Sequence, residues 1–169
     1  MMSIHQDLLI GGQFYGGPCD TSIGKGQSYS PYSGKLVGTF AEAGWPEMDA
    51  ALDAAQSAFE TWRKSPRRER QALLRRVAAS IRDRRQELAE LMADEIGKPI
   101  TAALAEVDRT AITFDLSADL LTMPSGEILP CDFDARGDGY RCLVERFPIG
   151  AVFAVVPYNW PLNLAAHKI

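Results

Sequence analysis

Long apolar runs are missing from this 169-residue sequence. The longest fall far short of the roughly 20 residues that a membrane-spanning helix needs, so no membrane partner is expected. Cysteine is scarce, with three in the chain. The N-terminal stretch MMSIHQDLLIGGQF has neither a basic n-region nor a long apolar h-region, so it does not read as a secretory signal. Three cysteines without an export signal make no disulfide framework, and the compartment reads as cytoplasmic. There are two histidines; a lone His167 cannot define a metal site, and none is expected. An excess of positive charge is also lacking. The formal net charge is −4, which argues against nucleic acid as a partner. Basic residues crowd between Arg63 and Arg85, but no aromatic lies between Trp62 and Phe114. A single-strand binding surface would interleave the two, so the run reads as a solvated helix face. Repeats and low-complexity tracts are absent too.

What remains is ordinary globular material, 46% hydrophobic and 24% charged, in a chain long enough to bury a core. Leu8 to Gly12 and Gln13 to Tyr15 read as a hairpin turning on Gly11-Gly12. A Gly-, Pro- and Ser-rich stretch follows, with Lys35 to Phe40 its best strand. The period then changes. Met48, Leu52, Ala55, Phe59 and Trp62 fall three or four apart and predict an amphipathic helix with Pro46 in its first turn. Ser65-Pro66 predicts a second start, with serine as N-cap and proline as first helical residue. Leu74, Val77, Ile81, Leu88 and Leu91 line one face of that helix, which stops at Gly97-Lys98-Pro99. The third stripe runs through Ile100, Leu104, Val107, Ala111, Phe114, Ala118 and Leu121. Glu127 to Phe133 and Tyr140 to Phe147 predict a hairpin around DARGDG, with Pro130 at an edge or bulge. The apolar run Ala151 to Val156 predicts a strand buried on both faces, as in a parallel sheet, closed by Pro157. Pro161 suits the first turn of a following helix.

The short stretch PYNWP, residues 157–161, is the chemically interesting part. If the run before it is a parallel strand, PYNWP lies beyond its carboxyl end, where open α/β sheets bind ligands. Asn159 would precede a helix N-terminus, where free N–H groups favour negative charge. Its amide is a neutral donor that can stabilise a developing oxyanion without titrating. The alternative is that Asn159 only caps the helix.

VERFPIGAVFAVVPYNWPLNLAAHKI resembles the N-terminal part of the aldehyde dehydrogenase superfamily, with its strand, Pro-aromatic-Asn-aromatic-Pro and helix. Upstream, ADEIGKPITAALAEVDRT resembles the family's Glu-x-Gly-Lys-Pro segment and the helix after it. The resemblance covers the chain from about Gly34 to its end. Tyr158 stands where the family often has Trp or Phe, and Trp160 where it often has Phe; both keep an aromatic wall. The resemblance implies an α/β fold: an incomplete Rossmann-like cofactor-binding domain with N-terminal helices and a β-hairpin oligomerisation arm. Residues 1–126 would be the strands and helices of that domain. Residues 127–147 would be the arm, and residues 148–169 the first core strand and helix start of the dinucleotide sheet. It also implies oxidation of an aldehyde to a carboxylic acid with NAD or NADP through a cysteine thiohemiacetal. Asn159 matches the asparagine that helps hold the oxyanion. Val155, Val156, Pro157 and Tyr158 match the strand end that packs on the dinucleotide, and the arm implies a homo-oligomer.

Cys19, Cys131 and Cys142 match no nucleophile motif and read as buried or half-buried thiols. The family's nucleophilic cysteine and general-base glutamate lie downstream of anything present here. The chain is therefore expected to be a fragment, inactive alone: an engineered or proteolytic piece, or a truncated reading frame. The alternative is a noncatalytic, self-associating helical module.

Overall fold

A computed structural model describes residues 4–169 of the chain. Five short strands come first: β1 (Ile4–Gln6), β2 (Leu8–Ile10), β3 (Gln13–Tyr15), β4 (Gly24–Tyr29) and β5 (Leu36–Glu42). Strands β2 and β3 form the expected hairpin. Its turn places Gly11 at φ 59° and Gly12 at φ 83°, a left-handed pair that glycine adopts without strain. The other three strands make a sheet in the order β1-β5-β4, with β1 parallel and β4 antiparallel to β5. Gly38 permits the parallel pairing, because a Cβ there would lie 2.6 Å from the Ile4 carbonyl oxygen.

Helix α1 (Trp45–Trp62) starts where Pro46 predicts, and the Glu47 carboxylate reaches back 2.8 Å to the Gly44 N–H. The apolar stripe of α1 is not buried: Met48, Leu52 and Trp62 are all exposed. Helix α2 (Arg67–Asp83) begins one residue later than expected. Its N-cap is Pro66, in an extended conformation at φ −61° and ψ 145°. Ser65 therefore sits outside the capping position, and its buried hydroxyl has no hydrogen-bond partner. The single long second helix is also corrected. It breaks at Arg84, at φ −101° and ψ 19°, and restarts as α3 (Arg85–Ile96). Ile81 and Leu88 are seven residues apart, so the apolar period runs straight through the break and hides it. The Arg84 guanidinium stabilises the new start by gripping Glu87 at 2.6 and 2.9 Å. Gly97, at φ 69°, ends α3 as the left-handed cap that its sequence predicts.

Helix α4 (Ile100–Leu120) packs against both α2 and α3. It buries Val107, Ala111, Phe114 and Ala118 of the predicted stripe, and Ala103 beside them. One apolar cluster joins Ala89 and Met92 of α3 to Ala103 and Val107, and another joins Ala78 of α2 to Phe114. Charge runs alongside. Arg75 of α2 bonds Asp115 at 2.6 Å and also reaches Asp119, Arg82 bonds Asp115, and Arg85 grips Asp108 at 2.6 and 2.7 Å. Part of the basic run read as a solvated face is thus a paired face against α4. These bonds hold the carboxyls of Asp115 and Asp108 below the usual carboxylate range.

The second predicted hairpin forms from β6 (Gly126–Pro130) and β7 (Arg141–Glu145), closed by a 3₁₀ turn at Ala135–Gly137. Every residue of both strands is exposed. Ala151 to Val156 was expected to be a buried strand and is not one. Residues 151–157 carry no regular secondary structure, and all but Val156 are exposed. A strand is defined by its ladder, and no other described segment pairs with this one. Helix α5 (Pro161–Ala166) follows at the predicted place.

Candidate functional site

Helix α5 has six residues, and its first turn poses a definite problem. The opening amides of a helix lack partners within it. Pro161 has no N–H to satisfy, but Leu162 and Asn163 do. The N-cap residue is Trp160, which offers no side-chain cap. Asn159 does not cap either, so that reading is set aside. Glu106, two turns into α4, performs the task from another helix. Its Oε1 accepts from the amides of both Leu162 and Asn163 at 3.0 Å.

Glu106 is fully buried, and a buried carboxylate needs a counter-charge. Lys98 supplies it from the link between α3 and α4. Its ammonium donates to Glu106 Oε2, with side-chain exposures of 8% for Lys98 and 0% for Glu106. A lysine ammonium has three donor directions. The second runs 3.0 Å to the main-chain carbonyl of Asn159. The third faces the indole of Trp160, whose centroid lies 3.8 Å away, a cation–π contact. Asn163 is buried as well, and its Oδ1 lies 3.1 Å from the Thr113 hydroxyl. Leu162 and Ala166 meanwhile pack into the two apolar clusters on α4.

The consequence for Asn159 is specific. Its main chain is held by Lys98, while the residue itself is exposed. An exposed residue on a held backbone is what a neutral hydrogen-bond donor requires. Val155, Pro157 and Tyr158 adjoin it and are exposed, at 71% for Val155 and 79% for Tyr158, while Val156 is half-buried. Together they present an apolar, largely exposed strip next to Asn159 in the chain.

Two of the three cysteines depart from expectation. Cys19 and Cys142 are exposed and Cys131 is half-buried, because the turn and the hairpin that carry them pack against little else. Sequence reasoning singled out Asn159 and its neighbours but missed Glu106. The available signal was an acidic residue on the otherwise apolar face of the third stripe, one position before Val107.

A family model described as the aldehyde dehydrogenase family matches residues 20–169. Aldehyde dehydrogenase tropH of Talaromyces stipitatus is 32% identical, over 99% of this chain and 32% of its own length. The mitochondrial succinate-semialdehyde dehydrogenase of Rattus norvegicus is 32% identical, over 98% of this chain and 31% of its own. Among solved structures, aldehyde dehydrogenase 21 of Physcomitrella patens, in complex with succinate, superposes with a TM-score of 0.90 at 32% identity. It covers 99% of this chain, which spans 34% of it. The NADP-dependent glyceraldehyde-3-phosphate dehydrogenase of Bacillus halodurans, complexed with NADP, gives 0.90 at 32%, covering 99% of this chain and 35% of its own. The chain thus spans about a third of the length of these relatives.

Proposed function

The chain belongs to the aldehyde dehydrogenase family, and from that premise we propose that it is the N-terminal part of an NAD(P)-dependent enzyme that oxidises an aldehyde to a carboxylic acid. In this reading Asn159 is the oxyanion donor. The observation that carries it is the division of labour at α5: Glu106 takes the capping task, so Asn159 is left exposed and uncommitted on a backbone that Lys98 holds. A cysteine thiolate outside this chain attacks the aldehyde carbon, and negative charge gathers on the former carbonyl oxygen. The Asn159 N–H donates to that oxygen. An amide does not titrate, so the donor stays available at any working pH, and a donor set in advance costs no reorganisation when the charge develops.

The strip at Val155, Val156, Pro157 and Tyr158 fits the adenosine side of a dinucleotide. It is apolar and largely uncovered by the rest of the chain, which suits packing and main-chain contact. When bound, NAD or NADP supplies the hydride acceptor. The residues named here only hold and orient it; the nucleophilic cysteine and the general-base glutamate belong to the remainder of the protein. On this division residues 1–126 and 148–169 are parts of the cofactor domain, and residues 127–147 are its oligomerisation arm. The exposed Ile128, Leu143 and Phe147 support a homo-oligomer built through that arm, and equally a self-associating module if the chain acts alone. A cytoplasmic location completes the proposal; among the described residues no helix is long and apolar enough to cross a membrane.

The test is aldehyde-dependent formation of NADH or NADPH. The full-length protein that carries this chain is expected to produce it and the 169-residue chain to produce none. A full-length protein that reduces neither dinucleotide with any of a panel of aldehydes contradicts the proposal, and so does activity in the isolated chain.

A further inference from the structure

We propose that the buried Lys98–Glu106 pair is the positioning device for Asn159, an inference that rests on the oxyanion-donor reading above. Asn159 follows a stretch, residues 146–157, without regular secondary structure. A donor to a developing charge must nonetheless be held to within about 0.5 Å. Neither sheet nor helix supplies that precision at Asn159. The pair does, from the rigid side of α4. Lys98 fixes the carbonyl of Asn159 itself and lies over the ring of Trp160, and Glu106 fixes the amides of Leu162 and Asn163 just beyond. The segment is therefore gripped at the donor and again at the start of the helix that follows. One ion pair joins the two grips, so neither can shift alone.

Stability alone is a weak reason for such a pair. Two apolar residues of similar volume commonly serve a core as well as a buried ion pair. Here the polar atoms not used on each other point at the 159–163 segment, with Lys98 also facing its indole. Lys98 and Glu106 need not touch substrate or cofactor to do this; they act through Asn159.

The perturbation is Lys98→Met combined with Glu106→Gln. It removes the bond to the Asn159 carbonyl, keeps an acceptor for Leu162 and Asn163, and leaves no unpaired buried charge to unfold the chain. In the 169-residue chain, the order parameter of the Asn159 backbone amide is expected to fall from the rigid range to below about 0.6, with the middle of α4 unchanged. An Asn159 amide as rigid as in the parent overturns the inference, whatever the activity. In the full-length enzyme the same pair of changes is expected to lower kcat by about 10–100-fold, the scale of a misplaced group, with dinucleotide affinity unchanged. In an Asn159→Ala background it should lower kcat by less than about two-fold, since effects of residues that act as a unit are not additive. Equal losses in both backgrounds, with Asn159→Ala itself costly, overturn this inference alone. An Asn159→Ala enzyme with undiminished kcat overturns the oxyanion reading and this inference with it.

Discussion

Replacing Glu106 by alanine should be among the most damaging single changes in this chain. Glu106 is fully exposed to nothing but protein, at 0% accessibility, and three donors converge on it: the Lys98 ammonium and the amides of Leu162 and Asn163. The alanine variant leaves an ammonium with 8% side-chain exposure facing no carboxylate. Breaking a buried pair from one side costs about 3–5 kcal/mol, because the remaining charge stays desolvated. Each orphaned amide adds about 1–3 kcal/mol in isolation; the opening of the α5 turn to water recovers part of that, so the total is held near the pair's own range. Domains of this size are stable by about 5–15 kcal/mol, so the loss is a large share. With a urea slope of about 2 kcal/mol per molar, the midpoint should drop by about 1.5–2.5 M. The control is Lys98→Met with Glu106→Gln, which leaves no unpaired charge and should stay within about 1 kcal/mol of the parent. Urea unfolding followed by circular dichroism reads both. A Glu106→Ala midpoint within 0.5 M of the parent, on the order of a surface change, would refute the reasoning. So would a double variant as unstable as the single one.

Two further outcomes follow from the same geometry. Hydrogen bonds from Arg82 and Arg75 hold the Asp115 carboxyl below the usual range, and those from Arg85 do the same for Asp108. Carboxyls depressed in the folded state stabilise fully above the ordinary carboxylate pKa of about 3.9, and lose that contribution as pH falls through the lower folded value. The chain should therefore lose stability on acidification below about pH 4, and Asp115→Asn should lose less over the same interval; equal pH profiles contradict this. Separately, the apolar faces at Ile128, Leu143, Phe147 and Phe153 are exposed, with unpaired strand edges beside them. Sedimentation velocity should show association that rises with protein concentration, and a monomer at every concentration would remove the support for self-assembly through the hairpin.

Local signals made much of the fold legible. Gly11-Gly12 marked the first hairpin, Pro46 the start of α1, Gly97 the end of α3, and the spacing from Leu104 to Ala118 the buried face of α4. Each is a property of a few neighbouring residues. The errors lie where a distant partner decides. The apolar period could not show the break between α2 and α3 at Arg84, because Ile81 and Leu88 keep the helical spacing across it. Ser65 has the chemistry of a cap, but the extended backbone falls at Pro66. Ala151 to Val156 has the composition of a strand, and composition alone does not make a ladder. The α1 stripe predicted a helix but not whether anything covers it. At the site, the prolines and aromatics around Asn159 singled that residue out, and the role proposed for it came from the family resemblance. Glu106 left one faint mark, an acidic residue on an apolar helix face, but its capping partners lie 56 and 57 residues away and only the fold brings them to it.

The most direct measurement is the effect of Asn159→Ala in the full-length protein that carries this chain, with turnover and dinucleotide binding read separately. An oxyanion donor acts where charge develops, so kcat should fall by about 10²–10³-fold. The dissociation constant for NAD or NADP should stay where it was, because in the proposed role the amide acts on the substrate oxygen and not on the dinucleotide. An unchanged kcat, or a loss carried wholly by weaker dinucleotide binding, would contradict the assignment of Asn159.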